Sequence, residues 1–220
     1  MHVEPPRAPH SAREFLREYG MIVLSVLTAL ALERVAVAWS NRNDAAASRV
    51  RIETELRRDL ADLRHSEAEN RKGMAVVQKV LSPLLKTLAA GDAPAPKLDP
   101  KEMFSISISM PSWQHSAWDT AIADRSAEHI AFPVLSKFAA AYTAAQDLNQ
   151  ISTLVLSGGW FDQGAALTVD IQSGRADLRA VSQFMMRYLI AVQQVQMTEQ
   201  NLEKKTEIAL GQNSGGNAGD

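Results

Sequence analysis

Apolar residues are laid along this chain in two different ways. From Gly20 to Leu32 (GMIVLSVLTALAL) they form a run with no charge, and a second apolar patch, Val35 to Trp39, follows Glu33-Arg34. Beyond Asn41 they recur at helical spacing instead. Ile52, Leu56, Leu60 and Leu63 stand four, four and three apart, which puts them on one helical face. Arg51, Glu55, Arg58, Asp62 and Glu69 fall on the other, with the mixed signs of a solvated surface. From His65 to Gly73 the pattern turns polar, then resumes at Met74, Val77, Val80, Leu81, Leu84, Leu85 and Leu88. Asn41 to Ala90 therefore reads as one long helix or two collinear ones. Gly73 costs about 1 kcal/mol relative to alanine in a helix interior, and Pro83 removes a backbone bond. A bend at either would let the chain fold back.

Gly91 to Pro100 (GDAPAPKLDP) is a proline-rich, extended, solvent-facing break. In Phe104 to Met110 (FSISISM) apolar residues and serines alternate with period two. That pattern suits a half-buried strand or an ordered extended loop lying on helices. Ser112 to Asp124 reads as a short helix with Trp113, Ala117, Trp118, Ala121 and Ile122 on one face. Helix resumes near Pro133, a first-turn residue, and runs past Phe138, Tyr142 and Leu148 to the terminator Ser157-Gly158-Gly159. The last helix is expected to begin between Asp170 and Ala176, capped by Asp170 or Ser173. Leu178, Val181, Met185, Tyr188, Val192 and Val195 then alternate by three and four; Glu199 interrupts the stripe and Leu202 resumes it. Such a stripe is the seam of a bundle or coiled coil.

The organisation expected is a disordered tail (1–10), an anchor helix (11–40) starting near Ser11, a stalk-like helix (41–90), a linker with an extended segment (91–111), a helical body (112–210) and a second tail (211–220). The fold class is all-α: an N-terminal transmembrane helix continuing into a long helix, packed with an antiparallel helical bundle, with at most one short extended segment.

Residues 20–32 span only about 20 Å of helix, short of a hydrocarbon core of roughly 30 Å. Continued to Trp39 the segment reaches about 30 Å. Glu33 and Arg34 then lie toward one end, where long side chains reach the headgroups. The anchor residues are Tyr19, Gly20, Ile22, Leu24, Leu27, Leu30, Leu32 and Trp39, with Tyr19 and Trp39 at the interfaces. Two other readings compete. One is a cleaved secretory signal, with Arg7, Arg13 and Arg17 before the apolar core and Ala36-Val37-Ala38 as a cleavage site. Glu4, Glu14 and Glu18 in the leader oppose it. The other is a buried helix of a soluble protein. The Lys and Arg flanking the segment lean toward a cytoplasmic C-terminal body.

Composition narrows the function classes. The 220 residues hold 23 basic and 25 acidic side chains and a net charge of -2, without the basic footprint of a nucleic-acid binder. No cysteine is present, so disulfides, thiolate metal sites and cysteine nucleophiles are excluded. His115 and Asp119, four apart, with Asp124 and His129 beyond, offer imidazole and carboxylate donors for a metal, although no HExxH spacing appears. Local hydrogen bonding near two tryptophans is the plainer reading. Ser157-Gly158-Gly159-Trp160 lacks the lysine and spacing of a phosphate loop. The arginine-rich stretch from Arg49 to Arg71 either meets anionic headgroups or is a solvated helix with pairs such as Glu53-Arg57.

The run from Glu18 through Leu32, then Trp39, then Glu55-Leu56-Arg57-Arg58-Asp59-Leu60, resembles the start of an uncharacterised bacterial family of single-pass membrane proteins with a helical body. Trp118-Asp119-Thr120-Ala121 followed by Phe132 to Tyr142 is similar to that family's second block. The family has an asparagine-rich patch before the tryptophan where this chain has Val35-Ala36-Val37-Ala38. The resemblance implies a retained anchor in the bacterial inner membrane and a helical body, and carries over no functional residue. The expectation is a non-enzymatic, membrane-anchored interaction or scaffold protein with no cofactor, the bilayer as partner and a homodimer through the helical stripes. The alternative is a sensor-type bundle holding a small ligand near Trp113, Trp118 and Trp160.

Overall fold

The computed structural model describes residues 12–90, 98–104 and 106–212. The two expected tails, Ser11 and most of the proline-rich linker lie outside these residues, apart from Gly211 and Gln212. Helix α1 runs from Ala12 to Ala90 and takes up 79 residues, about 120 Å. α2 is Pro100–Phe104, α3 Ser116–Ala123, α4 Phe132–Ser157, α5 Trp160–Gln172 and α6 Leu178–Ala209, with a short 3₁₀ turn at Ser126–His129. The described residues contain no strand.

α1 neither breaks nor folds back at Gly73 or Pro83; the helix continues through both. The reason is on its inner face. Ile52, Leu56, Leu60, Leu63, Ser66 and Glu67, Asn70, Gly73, Val77, Leu81 and Leu84 are all buried. Their spacing keeps one helical stripe, and the polar stretch of the sequence is that stripe continued with polar side chains. Gly73 is where α6 comes close: a methyl group there would overlap the Tyr188 hydroxyl.

Three apolar clusters stack along this stripe. Ala45, Ile52 and Leu56 meet Phe138, Ala141, Tyr142 and Ala209. Leu60 and Leu63 meet Ala145, Leu148, Val155, Val195 and Leu202. Val77, Leu81 and Leu84 meet Val181, Met185 and Tyr188. Residue numbers on α4 rise with those of α1 while those on α6 fall. α4 is therefore parallel to α1, and α6 runs antiparallel to both. Buried, the α6 stripe covers this face of α1 from within the same chain.

Between α2 and α3 the chain runs back down the bundle in extended form. Ser109 is bonded to Asn70, Gln114 to Asp59, and Ser116 and Ala117 to Glu55. From Ser109 to Gln114 an extended chain advances about 16 Å at about 3.3 Å per residue. From Asn70 back to Asp59 a helix covers the same distance, about 16 Å at 1.5 Å per residue. Phe104 of the FSISISM pattern ends α2, and from Ile106 to Met110 the pattern is the extended loop lying on helices.

Other boundaries differ from the sequence reading. The short helix starts at Ser116, leaving Trp113 on the extended segment, and Ile122 is exposed. α5 was not expected: Asp170 lies inside it and Ser173 ends it. The cap of α6 is Asp177, whose carboxylate accepts from the Arg179 amide at 2.9 Å. Gly158-Gly159 ends α4 as expected but also opens α5, with Gly159 at φ +72°.

Candidate functional site

Two parts of the molecule invite a functional reading. The first is the apolar segment of α1. Every residue from Ala12 to Ser40 is exposed. Leu24, Leu32 and Trp39 keep 66%, 66% and 69% of their surface, and Ile22, Leu27, Leu30 and Tyr19 are equally uncovered. The helix is long and apolar enough to cross a membrane, and none of its most apolar window is buried. A core helix is covered by its own chain, and this segment is not. The two hydroxyls within its uncharged run are tied inward: Ser25 Oγ donates to the Met21 carbonyl and Thr28 Oγ1 to the Leu24 carbonyl, each at 2.8 Å. Such back-bonding leaves little polar surface to satisfy from outside. Gly20 faces open space, so no neighbour requires it. Phe15 and Tyr19 stack at the N-terminal end, 6.3 Å apart.

The second part is the acid-lined contact between α1 and the returning chain. Glu55, placed on the solvated face by the sequence, is buried. Its carboxylate accepts from Tyr142 Oη at 2.6 Å, Ser116 Oγ at 2.8 Å and the Ala117 amide at 2.9 Å. It thereby seats the first turn of α3 against α4. Asp59, one turn on, is 1% exposed and accepts from the Gln114 amide at 3.2 Å. Burial pushes its carboxyl up to about 7; the Gln114 bond opposes this, and Glu55 adds to it. Burial, the bond to Glu55 and the charges of Glu55, Asp59 and Asp119 raise the Tyr142 hydroxyl well above its usual range. Asn70 pairs with both backbone groups of Ser109, accepting at 2.8 Å and donating at 2.9 Å, as a neighbouring strand would.

Further along, Glu199 of α6 is fully buried, and neither carboxylate oxygen has a hydrogen-bond partner of good geometry. Burial, then the charge of Glu67, push it up to about 7, while nearby Ser66, Asn70 and Arg71 act the other way. Arg64 ties the outside of the same contact with bonds to Glu203 and Glu207, both 2.7 Å.

Two clefts open beside this spine. One, of about 430 Å³, lies between the extended segment, α3 and α4, and is lined by Trp113, His115, Trp118, Asp119, Tyr142 and Asn149 among others. The other, of about 650 Å³, lies between the extended segment, α5 and α6, and includes Ile106, Trp160, Ala165, Phe184 and Tyr188. Leu156 borders both. The three tryptophans grouped by the sequence reading therefore divide between two clefts. In the larger one, Tyr188 Oη donates to the Ser107 carbonyl at 3.0 Å and Thr168 Oγ1 to the Gly164 carbonyl at 2.8 Å.

His115 and Asp119 do come together, Nδ1 to Oδ2 at 2.5 Å, on an exposed surface. Asp124 instead meets Arg51 at 3.7 Å and accepts from the Ser126 amide. No group of three His, Asp or Glu side chains among the described residues is arranged to hold a metal ion. Glu53 pairs with Arg57 as expected, and also with Arg49.

The chain matches no known protein family, and neither a curated protein nor a solved structure resembles it at a significant level.

Proposed function

We propose that this chain is a non-enzymatic, single-pass, membrane-anchored helical interaction or scaffold protein of a bacterial inner membrane. One observation carries the reading: an apolar helical segment without any cover from its own chain runs unbroken into a body whose core begins at Ala45. Water is a poor environment for such a surface, since each Leu or Ile kept from it is worth about 1.5–3 kcal/mol. From Trp39 to Ala45 the helix rises only about 9 Å, so the body sits close to the bilayer. The bacterial assignment rests on the resemblance of Glu18 to Leu32, Trp39 and Trp118 to Ala121 to the family described above. With the α1 and α6 stripes covered within one chain, self-association falls to the anchor or to outer surfaces such as Met186, Ile190 and Met197. Light scattering in detergent reads it, and a monodisperse monomer removes it.

Carbonate extraction of cell membranes tests the anchor, combined with a topology reporter fused after Asp220 and mass spectrometry of the N-terminus. The chain is expected in the membrane pellet with the segment intact. Recovery in the supernatant, or an N-terminus beyond Ala38, overturns the reading.

A second reading, a sensor-type body receiving a small ligand, is favoured by the two clefts. A thermal-shift screen of metabolites on the purified full chain tests it, and silence across a broad library counts against it.

A further inference from the structure

We infer that the cleft between α3 and α4 binds a small alkylammonium cation against Trp113, Trp118 and Tyr142, with Asp119 as the counter-charge at its edge. This rests on the receptor reading of the body and is independent of where α1 resides.

The walls come first. Trp118 and Tyr142 stack with ring centroids 5.1 Å apart and planes 26° from parallel, and Trp113 lines the same space. Aromatic faces carry negative potential and attract cations, by about 0.5–1 kcal/mol when exposed and about 2 kcal/mol when desolvated. Tyr142, 4% exposed and stacked on Trp118, backs that ring from behind. Its hydroxyl donates to the buried Glu55 carboxylate at 2.6 Å, which leaves the ring electron-rich.

Charge points the same way. Asp119 lines the cleft, and Glu55 and Asp59 stand behind Tyr142, close enough that all three act on its hydroxyl. Among the described residues no lysine or arginine lines the space. Arg51 is engaged elsewhere, with Ser48 and Asp124. An anion entering here meets carboxylates, and the one basic side chain, His115, already contacts Asp119. A neutral apolar molecule fits the walls but leaves the field of three carboxylates unused. Exposed Gln146 and Asn149 at the rim offer amide oxygens to an N–H or O–H of the ligand. The volume, about 430 Å³, is within the range of small-molecule sites. The larger cleft differs: among the described residues its one lining charge is Asp162, and its Tyr188 and Thr168 hydroxyls already donate within the chain.

Among the described lining residues His115 is the one basic side chain, and its Nδ1 contacts Asp119. An incoming cation competes with it for that carboxylate.

The four tryptophans provide the test, because each reports on a different place. The full chain, ¹⁵N-labelled at its indoles and held in an uncharged maltoside detergent, is titrated with choline and, separately, with its neutral carbon isostere 3,3-dimethylbutan-1-ol. Choline is expected to move the Trp113 and Trp118 signals saturably and to leave Trp39 and Trp160 in place. The isostere is expected to bind about tenfold more weakly, the factor that about 1.4 kcal/mol of cation attraction supplies. Asp119→Asn, at a side chain 61% exposed, keeps the fold and weakens choline several-fold. Equal response to both molecules overturns the inference, as does an unmoved Trp113 and Trp118. If Trp160 alone responds, the receptor reading stands and the cation site does not.

Discussion

Two stretches of one helix, residues 12–40 and 45–84, reverse the usual relation between hydrophobicity and burial. The first is the most apolar part of the chain and is wholly exposed; the second holds Glu55, Asp59, Glu67 and Asn70 on its buried face. Burial within this molecule follows the spacing of residues and the partners waiting for them. Hydrophobicity by itself decides which solvent a surface is made for. The apolar stretch is covered by nothing in its own chain, which is what supports the membrane reading. In the polar stretch Asn70, Asp59 and Glu55 are matched by backbone groups of the returning chain.

The largest expected effect tests the first stretch. Leu27→Arg with Leu30→Arg puts two charges near the middle of the span at a cost of about 6 kcal/mol for insertion. The double variant is expected in the soluble or aggregated fraction after carbonate extraction. The same changes leave the body's own contacts untouched, so continued membrane retention breaks the comparison.

The buried stretch is probed at Gly73. Gly73→Val forces a side chain into the Tyr188 hydroxyl and is expected to cost about 1–3 kcal/mol of stability, read by denaturant unfolding. Tyr188→Phe alone loses the Ser107 bond, at about 1 kcal/mol. Together the two changes should cost less than their sum, since the ring without its hydroxyl frees the space. Strict additivity contradicts the close approach.

Asn70→Leu comes next. It leaves both backbone groups of Ser109 without partners, an expected loss of about 2 kcal/mol. Hydrogen exchange at the Ser109 amide should accelerate well beyond the global change. Unchanged protection there means that the amide side chain does not hold the extended segment.

The smallest effect concerns pH. Glu199 is raised from 4.5 to about 7, so the native state holds its proton more tightly than the unfolded chain. Between about pH 4.5 and 7 the folded form binds more protons, and stability falls as pH rises through that window. Above it the dependence levels off. Glu199→Gln removes the charge and is expected to stabilise the body at pH 8 by on the order of 1–2 kcal/mol. Asp59, also raised to about 7, keeps part of the slope. A Gln variant no more stable than the parent at pH 8 removes Glu199 as a source of the dependence.

Much of this architecture is legible in the residues. The uncharged run gives the uncovered apolar segment of α1, Pro133 and Gly158-Gly159 bracket α4, and the three-four alternation from Leu178 gives the seam of α6. What escapes is informative. Glu55 looks solvent-facing because acids usually are, yet it adjoins Leu56 on the stripe, and Asn70 falls seven after Leu63. Spacing held that signal and residue type hid it. In α5 Trp160, Leu167 and Ile171 share a face seven and four apart but are only half-buried, and among its described side chains Thr168 alone is buried, so the periodic signal is short and weak. The cleft is assembled from an extended segment and two helices separated in sequence, and only their contact brings Trp113 and Tyr142 together.

The pairing of extended chain with helix acts as a vernier, two scales of different pitch read side by side. One residue added between Ser109 and Gln114 slides the strand-like scale by about 3.3 Å, more than two divisions of the helical one. Asp59 and Glu55 would then face the wrong groups, and the aromatic wall they support would lose its footing. One residue added to α1 between Asp59 and Asn70 upsets the same reading from the other side. Natural changes in chain length should therefore avoid both scales.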